Sequence, residues 1–302
     1  MADISRSEVA TLIEEAYAHD LLAYATEEST VLSAFPKVSM GTKTNNLPVL
    51  ATLPTAGWVA ESATDPTGVK PQSEVTWANR TLVAEELAVI IPVHENVLDD
   101  ATTDVLGDIV RLGGQAIGKA LDQAVIFGVN KPASWVSLDL LAAATAAGQV
   151  KEVGATATAN KDDIVGATNQ VAELIASAGW APDTMLSNLS LRYKVANLRD
   201  ANGFPIFREE SFGGFKTYFN RNGAWDSAAA VSLLVDSNRV RIGVRQDISV
   251  KFLDQATVGS INLAERDMVA LRLKARFAYV LGTAATPMGA AKTPVGAVVD
   301  LV

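Results

Sequence analysis

The sequence predicts an α+β fold, and two features predict it. A single long helical pattern runs from Asp99 to Gly128, with Val105, Ile109, Leu112, Ala116, Ala120 and Ala124 recurring at gaps of three or four along one face. The pattern changes on either side of it: an extended, Pro/Thr-rich first third precedes it, and an Ala-rich middle follows, giving way to a last third dominated by strands. Side-chain oxygens of Asp99 and Asp100 cap the free N–H groups at the start of the helix, while Gly128, Asn130 and Pro132 end it. At about 1.5 Å per residue the pattern makes a rod of ~40 Å, a beam between two dissimilar halves.

The other elements follow in order. Ser5 and Glu8 form a capping box, and Val9, Leu12, Ile13, Ala16, Tyr17, Leu21 and Tyr24 continue at helical spacing, so an amphipathic helix starts the chain. The period is lost near Ala34 and Pro36, and the chain up to about Pro54 reads as an extended arm. From Trp58 to Arg80 the pattern is a long two-stranded hairpin, with Gly57-Trp58-Val59 and Val75-Thr76-Trp77 flanking a polar tip that holds Pro66, Gly68 and Pro71. An isolated hairpin is marginal in water, so this one is expected to lie on another copy of the chain. Leu82 to Val93 is a strand, interrupted by Glu85 and Glu86, that feeds the beam.

Beyond the beam, Leu138 to Ala147 reads as a short helix inside a weakly patterned segment. Asn160 caps a clearer helix with Ile164, Val165, Thr168, Val171, Ala172 and Ile175 on one side and Gly179 at its end. Thr184 to Leu186 is a short strand, Leu189 to Leu198 a helix, and Asp200-Ala201-Asn202-Gly203 a turn. Strands are expected at Ala229 to Val235, Arg239 to Arg245 and Ile248 to Leu253. Met268 to Leu281 alternates clearly, with Val269, Leu271, Leu273, Ala275, Phe277 and Tyr279 on one face and Arg272, Lys274 and Arg276 on the other, and reads as a half-buried strand. The tail after Gly282 has no period and is expected to be extended.

Composition narrows the function. With 302 residues and 49% hydrophobic content the chain can bury a sizeable core, as one large domain or two smaller ones. No apolar run reaches the ~18 residues of a membrane span, and no basic-then-apolar leader stands at the N-terminus. The absence of cysteine removes disulfides, thiolate ligands and Cys nucleophiles together, and only His19 and His94 are left for imidazole chemistry. A net charge of −9 opposes a surface built to neutralise phosphates.

Each chemical motif has a plainer reading. Gly113-Gly114-Gln115-Ala116-Ile117-Gly118-Lys119-Ala120 has P-loop spacing, but Ala120 stands where the magnesium-binding hydroxyl belongs, and the run lies in a helical pattern whose N–H groups are already bonded. The glycines are better read as places where another element approaches the beam closely. His94 with Glu95, Asp99 and Asp100 lacks the three convergent ligands of a hydrolytic metal site. Arg272, Lys274 and Arg276 could face phosphate, yet in an acidic protein pairing with carboxylates is the simpler reading. No nucleophile elbow occurs, so neither catalytic residues nor a cofactor or metal is expected.

The order of elements resembles the major capsid proteins of tailed bacteriophages, with their Hong Kong 97-like fold. The likeness rests on Gly57-Trp58-Val59-Ala60-Glu61, on Val75 to Arg80, and on Leu87-Ala88-Val89-Ile90-Ile91-Pro92-Val93 entering Leu98-Asp99-Asp100. It continues in Ala120-Leu121-Asp122-Gln123-Ala124-Val125-Ile126-Phe127-Gly128 and in Leu198-Arg199-Asp200-Ala201-Asn202-Gly203-Phe204-Pro205. The resemblance implies an N-terminal arm over residues 1–50 and an E-loop over 51–84. It further implies a peripheral domain with a spine helix over 85–134, an axial domain over 135–261, a peripheral return strand over 262–285 and a C-terminal tail over 286–302.

It also implies a virion protein, assembled in the host cytoplasm, whose hexamers and pentamers close into an icosahedral shell enclosing double-stranded DNA without sequence-specific binding. The implied partners are further copies of the chain, a portal and a decoration protein. Because the arm begins almost at Met1, a separate scaffolding protein, or none, is expected. The assembly residues it points to are Trp58, Glu61, Lys70, Trp77 and Arg80. Lys70 is the sole lysine between Gly57 and Arg80 and hence the one E-loop donor for an inter-subunit Lys–Asn crosslink; with neither the partner Asn nor a catalytic Glu identifiable, no crosslink is expected. An encapsulin shell of the same fold is the alternative, and an enzyme acting on a small substrate the reading from a different class.

Overall fold

A computed structural model of the chain describes residues 25, 29–58, 72–99, 105–153, 164–197, 214–245, 249–282, 286, 288 and 292–300. The expected N-terminal helix over residues 5–24, the Asn160 cap and the turn at 200–203 lie outside these residues. The chain begins with α1 (Thr30–Ala34), β1 (Lys37–Met40), β2 (Thr44–Thr52), β3 (Thr76–Val83), β4 (Glu85–His94), α2 (Glu95–Asp99) and α3 (Val105–Ile126). It continues with α4 (Leu140–Ala146), β5 (Val150–Val153), α5 (Ile164–Ser177), β6 (Thr184–Asn188), α6 (Leu189–Ala196), β7 (Lys216–Asn220) and β8 (Ser232–Val235). The last part holds β9 (Val240–Arg245), β10 (Ser249–Leu253), the small hairpin β11 (Thr257–Val258) and β12 (Ile261–Asn262), then β13 (Met268–Leu281) and β14 (Val295–Asp300).

The long helix is the 22-residue α3, about 33 Å of rod, and it ends as expected, with Gly128 and Asn130 in the left-handed region at φ 70° and 54°. Its buried face is not the one that apolar spacing indicated. Leu112 is 55% exposed, whereas Val110, Gly113, Gly114, Ile117, Gly118, Leu121 and Val125 are buried. Glycine has no side chain for a hydrophobic stripe to register, and the glycines mark the closest packing. A Cβ on Gly113 would collide with the side chain of Leu273, and one on Gly118 would lie 3.2 Å from the Ala25 carbonyl oxygen and 3.3 Å from the Ser29 Cβ. The helix lies on a sheet whose inner face carries Leu87, Val89 and Ile91 of β4 and Leu271, Leu273, Ala275 and Phe277 of β13.

That sheet is centred on β13. β4 pairs antiparallel along one side of it from Met268 to Phe277, β10 and β9 share the other side, and β1 joins parallel to β9. The expected alternation of β13 holds from Leu271 to Phe277, Ala270 before it being buried as well. From there to Leu281 every residue is buried, because Ala278 and Val280 pack on Met40, Leu82 and Ala84 across the other face. A second sheet has the order β5-β14-β8-β6-β7. Leu140, Ala143 and Ala144 of α4 share a core with Leu233, Val235 and Ala297, while Val171 and Ile175 of α5 share another with Met185, Leu234 and Val298.

Three sequence expectations are corrected here. The hairpin is a ladder of β2 with β3, so its first strand falls within the segment read as arm, and Trp58 stands beyond the ladder. β9 and β10, expected in the axial part over 135–261, belong to the sheet of β4 and β13. The tail after residue 286 is not merely extended: β14 is an inner strand of the second sheet, its Val-Gly-Ala-Val-Val run too uniformly apolar to display a period.

The parts meet at Asp122. This α3 carboxylate is fully buried and accepts five hydrogen bonds: from the Ser29 hydroxyl at 2.6 Å, the Thr30 and Val31 amides at 2.9 and 3.1 Å, and the side-chain amides of Asn220 and Asn222 at 3.1 and 2.9 Å. A five-residue helix such as α1 is not stable alone, and two of its free N–H groups are satisfied by this side chain from another helix. Burial pushes the Asp122 carboxyl above its ordinary range, and the bonds from Ser29, Asn222, Val31 and Thr30 pull the other way. Asp122→Ala strands these donors in a dry interior, and the unassembled subunit is expected to lose about 3–5 kcal/mol in urea denaturation. Asp122→Asn, which turns an NH2 toward groups that donate, is expected to cost about 1–3 kcal/mol.

Candidate assembly surfaces

The hairpin is the part of the described chain least attached to a core. β2 and β3 form a two-stranded sheet of their own, running from Thr44 opposite Val83 at the base to Thr52 opposite Thr76 at the far end. Beyond the ladder the Thr55 amide donates to the Ser73 hydroxyl at 2.8 Å, so the two branches stay together past the last strand pair. Along β3, Thr76 to Asn79 are exposed, with Trp77 68% exposed, and burial begins only at Leu82. Trp58 is fully exposed. Arg80 is half-buried opposite Leu47. Of the five residues expected in assembly, the structure thus brings Trp58, Trp77 and Arg80 to one projecting element, while Glu61 and Lys70 lie outside the described residues.

At the base of the hairpin the charges are paired. Lys43 faces Glu85 at 3.7 Å, and Glu86 faces both Lys274 at 3.5 Å and Arg276 at 3.3 Å. Glu86 lies opposite Arg276 in the β4–β13 register, which accounts for the pairing. The cation row of β13 is therefore partly neutralised within the chain, as the carboxylate reading required. These half-exposed pairs contribute little, each within about 1 kcal/mol.

The glycine run lies in the middle of α3, from Gly113 to Ala120. Its N–H groups are oriented along a helix, so they cannot converge on a phosphate as a P-loop does. His94 ends β4 opposite Met268, and among the described residues no group of three His, Asp or Glu side chains could hold a metal ion.

A projecting hairpin, exposed aromatics and a rigid beam carry no catalytic arrangement; they suit a protein that builds by contact with others. A model of the phage capsid family matches residues 10–285. The chain belongs to the phage capsid family. Among solved structures, a Mycobacterium phage Bobi chain is 70% identical with all of each chain covered, at a TM-score of 0.83. A Mycobacterium phage Adephagia chain is 68% identical, covering 100% of this chain and 99% of that one, again at 0.83. A Microbacterium phage Oxtober96 chain is 37% identical over 91% of each, at 0.81. No curated protein matches the chain.

This capsid protein is a structural component of the virion, not an enzyme, and its copies assemble with one another into a capsid. The Hong Kong 97-like expectation and the α+β class agree with these likenesses, and the encapsulin alternative is not favoured. Among the described residues no helix is long and apolar enough to cross a membrane. Asp122 is the residue that sequence reading missed: its partners stand about a hundred positions away on both sides, and nothing local distinguishes it from a solvated helix aspartate. For the glycine run, Lys119→Ala is expected to leave assembly intact, and calorimetry should detect no ATP binding to either protein; tight binding abolished by the substitution would overturn the helix reading.

Proposed function

We propose that copies of this capsid protein form hexamers and pentamers that close into an icosahedral head around double-stranded DNA, assembled in the host cytoplasm. The observation that carries the reading is the hairpin: an eight-pair ladder that projects from the sheet holding β4 and β13 and carries exposed Trp77 and Trp58. Such a ribbon gains stability by lying on a neighbour. In this reading Trp58, Glu61, Lys70, Trp77 and Arg80 act in contacts between subunits. The sheet of β4 and β13 with α3 is the peripheral part, the sheet of β14 and β8 is the axial part, and the residues before β1 are the arm. A net charge of −9 supports enclosure of DNA without sequence-specific binding. A portal, a decoration protein and a separate scaffolding protein, or none, complete the assembly.

Electron microscopy of purified material tests the reading. Closed shells containing DNA support the head, shells filled with enzyme cargo support an encapsulin, and compact monomers under every assembly condition overturn both. Replacing residues 65–72, which carry no large apolar side chain except Val69, by a short Gly-Ser turn is expected to change subunit stability by less than about 0.5 kcal/mol while shells fail to form or break easily. Shells boiled in detergent are expected to release single chains; a ladder of higher masses on the gel would show that Lys70 does form a crosslink.

A further inference from the structure

A cavity of about 150 Å3 opens where the end of α3 meets the start of β4. Leu121 and Ala124 of α3, Trp135 and Phe277 wall it, and Glu85, which alternation along β4 places on the same face as Leu87, stands in its lining. An apolar cavity of about this volume in another protein accommodates a benzene ring, so the space suits one aromatic side chain. Aromatic walls favour a ring packed edge to face, and a carboxylate at the rim, that of Glu85, suits a ring that carries an N–H, which is an indole.

The chain presents one fully exposed indole, Trp58, preceded by the small residues Ala56 and Gly57 that let it enter a recess. It cannot fill the cavity of its own chain. The cavity lies at Glu85, at the base of the hairpin, whereas Trp58 lies past the far end, beyond Thr52 and Thr76. The eight residues of β3 from Thr76 to Val83 separate the two by roughly 25 Å at about 3.3 Å per residue. Trp77 is a poorer fit, because its backbone is held in the ladder opposite Leu50.

We propose that this cavity is a socket for the Trp58 indole of a neighbouring copy, so that each hairpin docks its tryptophan at the root of the next subunit's hairpin. The inference rests on the shell reading above. Such a contact is heterologous, hairpin end to hairpin base, and repeats around a ring of subunits.

The chain has no cysteine, which permits a direct test. Gly57→Cys chains and chains with Gln123→Cys in the cavity lining, mixed before assembly and treated with a short bismaleimide, are expected to give a dimer band from shells and none from unassembled subunits. Asn79→Cys mixed with Gln123→Cys is expected to give none. Trp58→Ala is expected to keep the thermal midpoint of the subunit and to lower shell yield by roughly tenfold or more, as truncation of a buried aromatic anchor does. Shells built from the Gly57→Cys and Gln123→Cys chains that give no crosslinked dimer, crosslinking through Asn79→Cys instead, or normal shells from Trp58→Ala would each overturn the socket while leaving the shell reading standing. A wild-type chain that forms no shells would overturn the shell reading itself.

Discussion

The buried carboxylate of Asp122 is the constraint on which the arrangement of the chain depends. It draws together residues 29–31, the middle of α3 and the residues at the end of β7, segments that share no local sequence. A buried polar group has to be satisfied, and here satisfaction requires all three segments to be in register at once. Asn220 extends the network by donating also to the Thr30 hydroxyl at 3.0 Å, and Asn222 accepts the Ala224 amide at 3.0 Å, which fixes the turn after β7. Apolar packing could hold α1 against α3 at several sliding positions; five directed bonds to two oxygens leave one.

The glycines of α3 serve the same end. Gly118, one turn from Asp122, brings the backbone of Ala25 and Ser29 close enough for the Ser29 hydroxyl to reach the carboxylate. Gly113, on the opposite approach, lets Leu273 of β13 sit against the helix axis. Glycine inside a helix costs up to about 1 kcal/mol relative to alanine. Two neighbours brought into van der Waals contact offset that cost, so a motif that looks like a phosphate loop is a packing device.

Legibility in the sequence followed physical visibility. α3, α5 and β13 carried a period over many residues; β13 was read with its observed ends and α3 with nearly its observed C-terminal end, whereas its expected start at Asp99 falls in α2, and α4 and β6 were read from short apolar runs. β14 was missed, since a short strand inside a sheet shows no alternation, β5 because it is a four-residue edge strand with only Val150 and Val153 apolar, and β7 because Lys216-Thr-Tyr-Phe-Asn looks like a loop. The hairpin was legible as a hairpin but its first strand was misplaced, because Asn45, Asn46 and Pro48 are poor strand formers and masked β2. Trp58 and Trp77 were reached through the resemblance to capsid proteins, which points to the hairpin they flank. Asp122 could not stand out, because its role lies in partners that only folding brings near.

The composition that hid β2 also makes the projecting ribbon tolerable. A two-stranded ladder has two open edges, each a template for pairing with any strand it meets. Pro48, opposite Asn79, removes one N–H from the β2 edge, and a register shift between Leu50 and Thr52 breaks the regular spacing near the far end. Along β3 the exposed residues Thr76, Ala78 and Asn79 are small or polar, so the large apolar surface of the strand is confined to Trp77. Edge pairing is thereby weakened while side-chain recognition is kept. A ribbon that bonded through its backbone would accept any partner strand at many registers, whereas one that presents isolated indoles from a guarded edge finds a partner only where a cavity of matching shape stands at the matching distance. For a protein that must join copies of itself at one geometry, specificity has to come from the side chains, and the poor strand formers in β2 are the means by which the backbone is kept from competing with them.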